Sequence, residues 1–516
     1  MKNLCVTSRS CSVLLDPEGL YQAAEKRFLR LDGEDLGEEY RSVTSLFDLE
    51  PDTEYTLEAE TESGRTDRIT FRTKRETCTL NVRDFGARGD GETEDTAMLQ
   101  AAILSCPDGG RVLIPPGDYV TGPLFLKSHL TLEIAEGAAL RLLTDRNRFP
   151  ILPGNTPADN PAGEVLLGMF EGCAADGFAA ALYGIGIEDT AVIGEGVIDG
   201  RADQGDWWVR PKEIRTASRG NLLYTQRCRG LLVQGLTFMN SPCWNLHPAF
   251  SEDLDFIDLR IRAPWDSPNT DGFDPESCRK VRLLGTEISV GDDCIAIKSG
   301  KIDLGRKYKT PCEGLEIGWC AMLDGHGGVT VGSEMAGGVK NVRAHHCYMK
   351  GNDRALRIKT RRDRGRDGVI DDILFRKVRM DGVKVPLVVN SFYFCDADGK
   401  SERVQSREKQ PADETTPEIG TVTFEQVEAT GCRACVAYAM GLPEKPMERL
   451  ELKDCTFRFD PAAEPLVPAM ACGVEECCRR GIIAKFIRKL AVCNITVEGM
   501  EGNLLDTQDV EEILQS

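Results

Sequence analysis

With 516 residues the chain is longer than one ordinary domain, and with 41% apolar and 28% charged residues it has the balance of a folded globular protein rather than a disordered one. No apolar run approaches the ~20 residues of a membrane span, so a helical membrane protein is excluded. A net charge of −20 makes the surface as a whole repel polyanions, nucleic acid included, and any acidic ligand must be met by a local basic patch.

At the start, Lys2 and Arg9 flank only the short run Val13-Leu14-Leu15, broken at once by Asp16-Pro17-Glu18-Gly19, which is not the pattern of a secretory signal. Twenty cysteines, mostly single and without compact spacing, suit a reducing compartment, and the expected location is the cytoplasm. Residues 1–76 alternate apolar and polar positions between turn signals and predict a small β-sandwich. Within it, Leu49-Glu50-Pro51-Asp52-Thr53-Glu54-Tyr55 resembles the Leu-x-Pro-x-Thr-x-Tyr corner of fibronectin type III modules.

A second unit, residues 77–516, opens on Asn81-Val82-Arg83-Asp84-Phe85-Gly86, followed by Asp95-Thr96 as the cap of a helix over Ala97–Leu104. The acids from Asp90 to Asp95 lack the alternation and terminal glutamate of a calcium loop. From Arg111 onward, short β-rich runs alternate with polar turns and glycine or asparagine corners. The runs can be anchored at Leu231, Leu254, Val281, Leu315, Val342 and Ile373, giving steps of 23, 27, 34, 27 and 31 residues. Strands repeating at this period without helices predict an all-β fold, a right-handed parallel β-helix whose coils bury their inward residues against their neighbours. Propeller blades, at ~40–50 residues, are too long. The polar stretch Asp396–Glu418 reads as a surface loop.

Four segments recur at intervals of about one coil: Asn269-Thr270-Asp271-Gly272, Gly291-Asp292-Asp293, Gly325-His326-Gly327 and Arg357-Ile358-Lys359, with Asp271 21 residues before Asp292, Asp293 33 before His326 and His326 31 before Arg357, which sets each one coil from the next. Each alone is an ordinary turn or strand fragment. Residues one coil apart lie ~4.8 Å apart on one face, so a single groove can collect three carboxylates, an imidazole, a guanidinium and an ammonium. Gly291 allows the chain to break so that Asp292 and Asp293 both reach it. Crowded carboxylates cannot all ionise, so at least one keeps a proton near neutral pH, supplying an acid and a base together. Glycoside hydrolysis needs such a pair, and inversion follows when the two stand ~6.5–9.5 Å apart. The segment Arg354–Arg366 holds seven basic residues and one acid, and Arg357 and Lys359 within it suit a sugar carboxylate.

In this order the four segments resemble the signature of glycoside hydrolase family 28, the polygalacturonases, over roughly Asn81–Met500. The resemblance implies Asp292 as general acid, Asp271 and Asp293 as the pair holding and deprotonating water, and His326 tuning the acid. It further implies Asn269, Arg357 and Lys359 as galacturonate ligands, with Tyr393 lining the site, and neither metal nor cofactor. By analogy with relatives that carry an added module and inserted loops, the expected activity is exo-cleavage of oligogalacturonides, with no nucleic-acid or membrane partner. Endo-cleavage and rhamnogalacturonan hydrolysis are close alternatives; a calcium-dependent pectate lyase and a non-catalytic pectin-binding β-helix are the others. Trp207, Trp208 and Trp244 are candidate stacking surfaces, while Cys432-x-x-Cys435 and His345-His346 read as structural.

Overall fold

A computed structural model describes residues 1–516. The first 72 residues form two antiparallel sheets. One joins Lys2–Val6, Cys11–Leu14 and Val43–Leu46; the other orders Glu34–Arg41, Gln22–Leu31, Glu54–Thr61 and Thr66–Arg72. Their inward residues, Val13, Leu29, Leu57, Ala59 and Phe71 among them, make one small core. At the corner before Glu54–Thr61, the Tyr55 hydroxyl accepts a hydrogen bond from the Glu50 N–H (2.9 Å).

From Thr79 the chain coils into a parallel β-helix with three ladders of strands. The first ladder runs through Arg229–Gln234, Glu252–Ile257, Arg279–Leu284, Cys312–Gly318 and Val339–His345, and it pairs Leu231, Leu254, Val281, Leu315, Val342 and Ile373 in unbroken register. These are the six repeat anchors read from the sequence. The second ladder includes Thr237–Met239, Arg260–Arg262, Glu287–Ser289 and Ala321–Leu323. The third contains Leu223–Gln226, Leu246–Ala249, Ile295–Ile297, Gly327–Val331, Arg354–Lys359 and Val385–Asn390. Inward residues of all three stack along the axis into one continuous core, as where Phe375 lies on Phe424 with centroids 5.1 Å apart and rings 8° from parallel.

The helix expected over 97–104 spans Thr96–Ser105 and buries Leu99, Ala102 and Ile103 at the first coils. Asp95 precedes it but does not cap it. Its carboxylate accepts instead from the Arg88 and Gly89 N–H groups (2.7 and 2.8 Å), pinning the preceding turn.

The N-terminal unit lies along the first ladder. Ser10 and Ser12 bond Gln234 (2.6 and 2.7 Å), Arg41 pairs with Asp258, and Leu14 and Val43 share an apolar cluster with Ile257, Leu284 and Trp319. The Phe47 ring fills the space that a Cβ would take at Gly235, whose φ is +79°.

Candidate active site

The strands of the third ladder begin late in two adjacent coils, leaving Asn269–Asp271 and Gly291–Asp293 as turns just ahead of them. Irregular backbone here frees successive side chains from strand alternation, so Asp292 and Asp293 can both reach the groove. The turns are fastened to one another. Thr270 Oγ1 bonds Ser267 Oγ (2.6 Å) and accepts from the Gly291 N–H (3.1 Å), while Gly291 passes so close to Ser267 that a Cβ would meet its carbonyl oxygen at 2.3 Å.

Oxygens of Asp271, Asp292 and Asp293 lie within 4.8 Å of one another. The coil step differs from the sequence expectation: the Gly272 N–H donates to the Asp293 carbonyl (3.0 Å) and Phe273 pairs with Ile295, so Asp271 stacks level with Asp293 rather than Asp292. Asp271 and Asp293 are buried, whereas Asp292, its side chain 25% exposed, stands at the mouth. Asp292 Oδ1 accepts from the Asp293 N–H (2.9 Å) and faces His326 Nδ1 at 3.2 Å, a contact that raises the imidazole above its ordinary value.

Arg357 and Lys359 do not stand open to solvent as the basic stretch suggested. Lys359 Nζ donates to Asp293 Oδ2 (2.8 Å) and Arg357 Nη1 lies 3.5 Å from Oδ1, with Tyr393 beneath both cations at 5.4 and 5.6 Å. Nor is Arg357 one coil above His326; the register pairs Gly327 with Arg354 and sets Arg357 opposite Thr330, whence it reaches Asp293 diagonally. Three more cations of the basic run are also neutralised internally: Arg361 and Arg364 hold Asp396, and Arg362 holds Glu444.

These contacts divide the carboxylates. Burial pushes Asp293 up, but Lys359 and Arg357 outweigh it and hold the group below the carboxylate range, so it stays ionised. Burial and the facing charges of Asp292 and Asp274 push Asp271 the other way, well above that range. The three carboxylates are spaced to hold a cation, yet Lys359, Arg357 and Lys298 already compensate them, which disfavours a divalent ion.

Asn269, with φ +56°, lines the cavity and accepts from Arg219 Nη2 (2.7 Å). Four residues before it, Trp265 is 78% exposed. Trp244, 4% exposed, lies under Lys298 and stacks on Phe170, whereas Trp207 is a core residue between Phe149 and Phe178. Cys432 is buried in the coil core and Cys435 in a smaller cluster beside it with Val388, Phe392 and Phe486, while His345 and His346 pack on Trp319.

The cavity over the cluster measures about 220 Å³, below the ~300–1,000 Å³ usual for small-molecule sites. Two insertions narrow it. The hairpin Met169–Phe170/Cys173–Ala174 brings its tip to Lys301, whose N–H donates to the Gly172 carbonyl (2.8 Å) and whose Nζ lies 3.4 Å from Glu171. The loop after Asn390 meets the same ammonium through Asp396 (2.9 Å). Lys298, Lys301, Glu334 and Arg219 escaped sequence reasoning because none belongs to a segment that repeats at the coil period. The one sequence signal available was a lysine six residues after Gly291-Asp292 in a run otherwise apolar.

The family model described as glycosyl hydrolases family 28 matches residues 167–455, and that of the rhamnogalacturonase A/epimerase, pectate lyase-like group matches residues 79–133. A probable polygalacturonase of Vitis vinifera is 27% identical over 82% of the chain and 84% of its own length, and an endo-polygalacturonase of Pectobacterium carotovorum subsp. carotovorum is 28% identical over 58% and 72%. Among solved structures, the exopolygalacturonase of Thermotoga maritima superposes with a TM-score of 0.65 at 26% identity, covering 82% of this chain and 92% of that one. The family 28 exopolygalacturonase of Yersinia enterocolitica superposes at 0.69 over 99% and 97%; at 17% identity it speaks for the fold alone.

Proposed function

The chain belongs to glycosyl hydrolases family 28 and is a polygalacturonase-type glycoside hydrolase of pectin, and from that premise we propose that it removes galacturonate from the ends of oligogalacturonides with inversion at the anomeric carbon. The observation that carries this reading is the carboxylate triad at the floor of a small cavity, with one member charge-compensated by Lys359 and Arg357 and another, Asp271, without an ion pair and pushed well above the carboxylate range by burial.

In this mechanism Asp292 protonates the glycosidic oxygen as the bond to the anomeric carbon breaks. Asp271 and Asp293 orient a water whose oxygen attacks that carbon from the opposite face, and Asp271 takes its proton. His326, hydrogen-bonded to Asp292, tunes the acid. The carboxylates approach more closely than the ~6.5–9.5 Å associated with inversion. What supports inversion is that neither buried carboxylate is a ready nucleophile: Asp293 is occupied by two cations, and Asp271 is buried among like charges that push it up. Asn269, Arg357, Lys359 and Tyr393 are assigned to the sugar carboxylate and ring.

The strap made by Glu171, Lys301 and Asp396 supports exo action, because an extended polymer needs a groove open along its length and these insertions narrow this one. We further read residues 1–76 as a fibronectin type III-like module and place the enzyme in the cytoplasm, acting on short imported oligomers; the Tyr55 corner and the many single, buried thiols support these readings.

Time-resolved product profiles on trigalacturonate and longer oligomers, in chelator, test the proposal. Single galacturonate units of inverted configuration, seen by NMR at early times, are expected. Random oligomer sizes contradict exo action, retained configuration contradicts inversion, and unsaturated products that vanish in chelator indicate a calcium-dependent lyase.

A further inference from the structure

Cations are unevenly shared around the triad. Asp293 has Lys359 and Arg357, but Asp271 makes no ion pair of its own. The groups facing it are Asp292 and Asp293 from the next coil, Asp274 from its own, the thiols of Cys243 and Cys294, and the cation Lys298, with Lys301 and Lys359 further round the cavity and Arg219 behind Asn269.

Lys298 follows directly on the strand Ile295–Ile297, its side chain only 4% exposed, and it lines the same cavity. Its ammonium sits 3.4 Å from Asp274 Oδ1, 3.4 Å from Glu334 Oε2 and 4.2 Å from the centroid of Trp244. Glu276 is its neighbour in the ladder and Lys359 faces it from a later coil. Both oxygens of Asp274 lack a hydrogen bond, so the lysine is the sole compensation for that buried carboxylate. Glu334 is buried, yet Lys298, Lys359 and Lys301 hold it at about 2, so its full negative charge draws on the Lys298 ammonium.

Building on the assignment of Asp271 as base, we propose that Lys298 is the positioning residue that allows Asp271 to release its proton and accept one from water, with Glu334 limiting how much of the lysine charge Asp271 feels. A buried carboxylate among like charges cannot serve as a base unless a cation stabilises its ionised form. Lys298 is placed to do so, because it lines the same cavity as Asp271 while its ion pairs are made to Asp274 and Glu334, which leaves the Asp271 oxygens free of it.

The test is the pH dependence of kcat/KM on trigalacturonate for two variants with opposite expected signs. Lys298→Met removes the cation, so Asp271 holds its proton to higher pH and the acidic limb moves up by about one unit, a tenfold change in proton affinity. Glu334→Gln frees more of the lysine charge, and the same limb moves down. Partial unfolding lowers the rate at every pH and leaves both limbs in place, so damage to the fold does not imitate either shift. Limbs that stay fixed in both variants overturn the role of Lys298 and leave the assignment of Asp271 intact. Movement of the alkaline limb instead means that Asp271 acts as the acid, which overturns both this inference and the division of labour on which it rests.

Discussion

Replacing Lys359 by Met deletes the closest partner of Asp293, a carboxylate whose side chain is 2% exposed and which accepts from the lysine at 2.8 Å. Removing one member of a buried pair costs about 3–5 kcal/mol, because the other is left uncompensated. Arg357 remains at 3.5 Å and keeps part of the compensation, so the expected loss is about 3 kcal/mol at pH 7. The effect has a definite pH sign. Burial raises Asp293, but Lys359 and Arg357 hold it below its unfolded value of roughly 3.9. A depressed carboxylate contributes stability that is complete above the unfolded value and is lost as pH falls through the folded one. Urea unfolding of wild type and variant should therefore differ most at pH 7, and the difference should narrow below about pH 4. A gap of less than about 1 kcal/mol at pH 7, or one that widens in acid, would refute the compensation described for the site.

Asp292→Asn should cut kcat by about 10²–10⁴-fold while oligogalacturonide binding, measured by calorimetry, changes little. Trp265→Ala, at an exposed ring beside the Asn269 turn, should raise KM for longer oligomers a few-fold at constant kcat, as expected when about 0.5–1.5 kcal/mol of stacking is lost. Lys301→Ala releases both insertions it ties, and product profiles should shift from single units toward mixed lengths; an unchanged profile removes the strap from the account of exo action. Phe375→Ala, at a stacked position with no solvent exposure, should cost about 3–5 kcal/mol in thermal or urea unfolding.

The coil architecture was legible because inward positions of a solenoid repeat in kind: the six anchors from Leu231 to Ile373 are apolar for the same reason and stand in one register. The candidate residues were legible for a related reason, since Asn269, Asp271, Asp292, Asp293 and His326 gather at the start of neighbouring strands of one ladder. Their exact neighbours were not. A turn can lengthen a coil without moving the strand, so counting residues set Asp271 beside Asp292 and Arg357 above His326, whereas hydrogen bonding pairs Asp271 with Asp293 and Arg357 with Thr330. Charge compensation was hidden for another reason. The acids that neutralise Arg361, Arg362 and Arg364 lie on distant loops, at Asp396 and Glu444, and a run of basic letters carries no record of what it folds against.

A solenoid ordinarily gains or loses a coil at little cost, because each repeat recognises only its neighbours. The N-terminal unit changes that for the coils it touches. Its contacts at Gln234 and Gly235, at Ile257 and Asp258, at Leu284 and at Trp319 fall on four successive rungs of the first ladder, and each is matched to a different part of one small rigid sheet pair. The unit works as a gauge of rung number. Duplication or deletion of a coil between Gln234 and Trp319 would put every later contact one rung out of step, about 4.8 Å. The same interval contains Asp271, Asp292 and Asp293. Lineages of this protein are therefore expected to vary in length before Arg229 and after Val339, while the coils between them keep their number.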